Sequence, residues 1–161
     1  MIVTRSLPAL LATALVACGE PGSPSAEQPT GAAPSAATPA ASLPRTPAPA
    51  GAEAYIIEPA DGAVVSNPVR VVFGLKGIGV VPAGIERPDA GHHHLLIDTE
   101  PPPFDQPIPA DERHVHFGGG QTETTITLAP GRHRLQLLLG DHLHVPHEPP
   151  VMSAPVTIEV Q

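Results

Sequence analysis

Apolar and polar residues alternate in short runs over the last two-thirds of the chain. Val69, Val71, Phe73 and Leu75 fall on one side of a two-residue repeat. Leu135, Leu137 and Leu139 do the same further on, as do Val156, Ile158 and Val160. Alternation of this kind marks strands with one face in a core. The runs predict strands over 54–58, 69–75, 92–98, 123–128, 132–139 and 155–160. Turn residues separate them, notably Pro59-Ala60-Asp61-Gly62 and Pro130-Gly131. No window carries the apolar spacing of an amphipathic helix. Strand count and spacing predict a single all-β domain over 53–161, an antiparallel immunoglobulin-like β-sandwich. Two longer loops, 76–91 and 99–113, are rich in Pro and Gly, and loops of that length are often functional.

The chain ahead of residue 53 reads differently. Arg5 precedes an apolar stretch from Leu7 to Val16, too short for a permanent membrane span. It ends in Leu15-Val16-Ala17-Cys18, which resembles the lipobox of bacterial lipoproteins. The resemblance implies a signal peptide over 1–17 and a diacylglyceryl thioether on Cys18. Gly19 stands where an Asp usually retains such proteins at the inner membrane. The expected location is therefore the periplasmic face of the outer membrane, with the lipid anchor as the membrane contact. Residues 18–52 are dominated by Pro, Ala, Ser, Thr and Gly, which bury too little surface to offset ordering entropy. They are read as the lipidated Cys and a disordered, semi-rigid linker.

Composition narrows the function. The formal net charge is −8 over 161 residues, the wrong sign for gripping phosphates, so no nucleic-acid partner is expected. The one Cys rules out an internal disulfide, a thiolate zinc site and an iron–sulfur cluster. Twenty-three Pro weigh against a helical bundle. Histidine is the chemically unusual residue.

The histidines fall between residues 92 and 147 and include three His-x-His pairs: His92 with His94, His114 with His116, and His142 with His144. His147 follows the third. On a strand, residues i and i+2 share a face at about 6.5 Å, so two imidazoles can reach one ion. His93 should point the other way with Leu95 and Ile97, and Val115 and Phe117 should face the core. The pairs would then lie off the hydrophobic face and converge at one end of the sandwich. Neutral imidazoles suit Cu(II) or Zn(II). The candidate metal ligands are His92, His94, His114, His116, His142, His144 and His147, with Asp98, Asp141 or Glu123 as acceptors that orient their N–H groups. Binding is expected to fail below about pH 6, where ordinary imidazoles protonate. His133 is read as a surface residue. Gly118-Gly119-Gly120 lacks the Lys and helix of a phosphate loop and reads as a hairpin connection.

Several stretches carry a family resemblance. They are Gly91 to Asp98, Asp105 to Asp111, His114 to Glu123 and Leu139 to His147, with Ile56 to Gly62 ahead of them. Over about residues 54–160 the chain resembles the bacterial domain-of-unknown-function family 4399, whose members are small exported proteins. The resemblance implies domain limits and export, and no activity. The leading expectation is a lipid-anchored periplasmic protein that binds a divalent metal and is not an enzyme. Its rivals are a non-metal cell-envelope interaction module with an unknown protein partner, and a metal-assisted enzyme, which needs an open coordination position.

Overall fold

The computed structural model describes residues 42–161. The expected signal segment, Cys18 and the first part of the expected linker lie outside the described residues. Nine strands follow one another: β1 (Glu53–Glu58), β2 (Ala63–Val65), β3 (Val69–Lys76), β4 (Gly79–Val80), β5 (Ala90–Ile97), β6 (His114–His116), β7 (Glu123–Ile126), β8 (Gly131–Gly140) and β9 (Val156–Val160). All six expected strands are present, and there is no helix among the described residues. The short strands β2, β4 and β6 carry too few residues for an alternation to stand out.

The strands form a β-sandwich. One sheet has the order β1-β3-β7; the other runs β2-β9-β8-β5-β4, with β6 also paired to β5. The expected antiparallel sandwich is present, with two parallel pairs added to it. β2 pairs with β9 in parallel, and β4 pairs with β5 in parallel. Both are two- or three-residue segments reached by loops, so the strand direction is free of hairpin constraint. Along one edge of β5, β4 covers Ala90 and Gly91, and β6 covers His94 to Leu96.

Side chains from the two inner faces meet as the alternation requires. Val69, Val71 and Phe73 pack against Leu95, Leu135, Leu137, Leu139, Ile158 and Val160. Each such residue removed from water contributes about 1.5–3 kcal/mol to folding.

The outer face of the larger sheet is covered too. Phe104 and Ile108, from the loop between β5 and β6, pack with Met152 over Leu96 and Leu138. Every residue of β5 is therefore buried. This corrects one expectation: the His92 and His94 side is off the main core, but loops close it from solvent.

Residues 43–48 are packed against the domain rather than projecting from it. The Ala48 amide donates to the Glu148 carbonyl at 2.8 Å, and the Glu148 amide donates to the Thr46 carbonyl at 2.9 Å. The Leu43 amide donates to the Asp105 carbonyl at 3.0 Å. Composition alone concealed this, because Arg45 and Thr46 find partners far along the chain.

Candidate metal centre

β5 and β8 lie side by side at the centre of the larger sheet, pairing His92 with Gly140 and His94 with Leu138. On the other side of β5, β6 pairs His94 with His116 and Leu96 with His114. The register thus sets three imidazoles on the covered outer face. Potential ligand atoms of His92, His94 and His116 all lie within 4.8 Å of one another.

A fourth ring comes from the turn after β8. The chain reverses at Asp141, the His144 amide donates to the Asp141 carbonyl at 2.9 Å, and Gly140 bridges back to Pro146. This turn brings His144 over the three strand-borne rings. Its ring centre is 4.9 Å from that of His92, 4.8 Å from His116 and 5.9 Å from His94. The remaining separations are 4.8 Å for His92–His94, 5.0 Å for His92–His116 and 5.0 Å for His94–His116. Four points at nearly equal mutual distances are the corners of a tetrahedron.

Two glycines make room for the rings. A Cβ on Gly118 would stand 2.5 Å from His116 Cε1. One on Gly140 would stand 2.9 Å from His94 Cε1 and 3.3 Å from the His144 backbone. The Gly118-Gly119-Gly120 run, expected as a hairpin connection, instead carries the chain from β6 in the larger sheet to β7 in the smaller one, and its first residue bounds the site.

Both ring nitrogens of His92 and His94 are buried with no hydrogen-bond partner, and so is Nε2 of His116. Unpaired buried polar atoms are costly and uncommon. Burial, reinforced by the neighbouring His144 and His116, pushes His92 down to about 4. Burial and the other three rings push His94 down to about 2. Burial, with His144 second, also lowers His116. The His92 and His94 rings therefore stay neutral, each with one lone pair free, well below pH 6.

The other expected ligands stand elsewhere. His114 is one register position beyond His116, and its Nδ1 is 2.9 Å from Asp111 Oδ1. His142 lies in a turn rather than a strand, so it does not share a side with His144. It lines a hollow of about 220 Å³ with Thr46, Glu86, Arg87 and Asp141. His147 is fully buried but belongs to the opposite side of the sheet: Gly91 alternates with His92, and a Cβ on Gly91 would meet His147 Cε1 at 2.9 Å. Burial lowers its pKa despite the nearby backbone of Leu139 and Ala90. His93 points into the main core as expected, its ring centre 5.2 Å from that of Phe73.

None of the three carboxylates expected to orient the cluster does so by hydrogen bond. Asp98 Oδ2 meets His133 Nδ1 at 2.7 Å, which makes His133 part of a side-chain network rather than a free surface group. Glu123 pairs with Arg70. Asp141 is 2 % exposed and organises backbone instead: its Oδ1 accepts the Leu143 and Val145 amides at 2.9 Å each, and its Oδ2 accepts the Thr46 hydroxyl at 2.7 Å. An Asp two and four residues ahead of its amide partners is a local turn signature. The partner Thr46 has no such signal.

The profile of a family described as "Domain of unknown function (DUF4399)" matches residues 71–161. The chain belongs to that family. The match holds all four clustered histidines and begins after the Ile56 to Gly62 stretch. No curated protein and no solved structure matches the chain. What a DUF4399 domain does must therefore be argued from the site itself.

Proposed function

We propose that this DUF4399 protein binds one divalent transition metal ion through His92, His94, His116 and His144. The carrying observation is the near-tetrahedral set of ring centres, 4.8 to 5.9 Å apart. A tetrahedral ion about 2.0–2.1 Å from four imidazole nitrogens holds the ring centres about 5 Å apart. His92, His94 and His116 bring potential ligand atoms within 4.8 Å of one another, and His144 adds its ring over them. Tetrahedral all-nitrogen ligation favours Zn(II), whereas Cu(II) prefers a tetragonal plane. The His144 ring occupies the side that a catalytic centre leaves open for water, so the reading is metal retention or carriage rather than catalysis. Cys18 would carry the lipid that holds the domain at the periplasmic face of the outer membrane.

Calorimetric titration of the untagged protein with Zn(II) and Cu(II) at neutral pH tests this. The expected result is one tightly bound Zn(II) per chain, abolished in the His94→Ala, His116→Ala double variant. Weak binding without defined stoichiometry, unchanged in that variant, would overturn it in favour of a non-metal envelope interaction module.

A further inference from the structure

Three of the clustered rings are fixed by strand ladders, and the fourth is not. His144 sits in a turn with φ of 67°, a left-handed conformation uncommon for residues other than Gly and held here by its surroundings. The groups that hold it come from two places. The Asp141 carboxylate gathers the Leu143 and Val145 amides, and its second oxygen is held by the Thr46 hydroxyl. Beyond the turn, Arg45 donates from Nε to the Pro146 carbonyl at 3.1 Å, donates from Nη2 to the His147 carbonyl, and pairs with Glu148. Residues 43–48 therefore grip the far side of the loop that carries His144. Their hydrogen bonds run to the 141–148 segment and to Asp105 rather than to the strand ladders.

We propose that this strap, through Thr46 and Arg45, positions His144 as the fourth ligand and so sets how long the ion is held, although no strap residue touches the ion. Thr46 and Arg45 are positioning residues acting through the Asp141 turn. The inference rests on the proposed metal site. It adds that the site has a fixed three-histidine floor and a clasped fourth side, so the ion leaves when the strap detaches.

The test uses the full untagged chain loaded with Co(II), whose visible absorption reports tetrahedral ligation, and with Zn(II), whose release to excess chelator is timed. Thr46→Val and Arg45→Ala should each speed Zn(II) release about tenfold or more and weaken the tetrahedral Co(II) bands. Thr46→Ser should restore both. In a His144→Ala background, Thr46→Val should change release no further, because the strap acts through that ring. Should Thr46→Val fail to fold by circular dichroism, Arg45→Ala is read in the same way. Wild-type release rates and spectra in folded strap variants would overturn the strap's role and leave the metal site standing. A wild-type chain that binds neither ion would overturn both.

Discussion

His94 and His116 stand opposite each other on antiparallel strands, their ring centres 5.0 Å apart and their planes 30° from parallel. Backbone register enforces this relationship, so the rings answer mainly to what abuts them. For His116 that neighbour is Gly118. Gly118→Ala should force the His116 ring out of place and lower zinc affinity, while the sheets persist. Overpacking of this kind costs about 1–3 kcal/mol. Gly140→Ala, which meets His94 and the His144 backbone together, should be worse. Titration of both variants beside denaturant unfolding checks the expected split between affinity and stability. Unchanged affinity in both would remove the glycines from the site.

His93 offers the opposite outcome. It lies in the main core beside Phe73, with both ring nitrogens buried and unpaired. His93→Leu replaces an unsatisfied polar ring by an apolar side chain of similar volume, an exchange that is neutral or stabilising. The expected gain is about 1 kcal/mol, and metal binding should be intact because the side chain faces away from the cluster. A marked loss of zinc affinity in a folded His93→Leu protein would mean that the two sheet faces are coupled.

The metal-free protein should be acid-labile. Burial pushes His92 and His93 down to about 4 and His94 to about 2, against about 6.5 for the unfolded chain. Below pH 6.5 the unfolded chain takes up protons that the folded rings refuse. Stability is therefore full above that pH and declines as pH falls toward 4, by about 1.4 kcal/mol per pH unit for each refused proton. Chelator-treated protein unfolded in urea at pH 7, 6 and 5 should show the slope, and His93→Leu should reduce it. The same burial corrects the expectation that zinc is lost below about pH 6. With His92 and His94 still unprotonated there, release should begin at lower pH.

Period-two alternation made the strands and the core legible, because each long strand has one face in the sandwich. It also placed His92 with His94 and opposed His93 to them. It could not show that Phe104, Ile108 and Met152 cover the outer face, since those residues sit in loops without periodicity. The same rule overreached at the other pairs. His114 shares a face with His116 but lies one register step too far, and His142 and His144 belong to a turn where a repeat of two has no meaning. Arg45 and Thr46 were hidden by their Pro- and Ala-rich surroundings, since nothing local announces a partner about a hundred residues away.

The four clustered rings come from three separated stretches of chain, on β5, on β6 and in the turn after β8. An unfolded chain offers only isolated His-x-His pairs, so the complete set exists only after the sheet has closed. On the proposed reading, an ion held by all four rings can be acquired only at the end of folding and cannot template its beginning. On that reading, the metal-free domain must therefore close its larger sheet before it can take the ion.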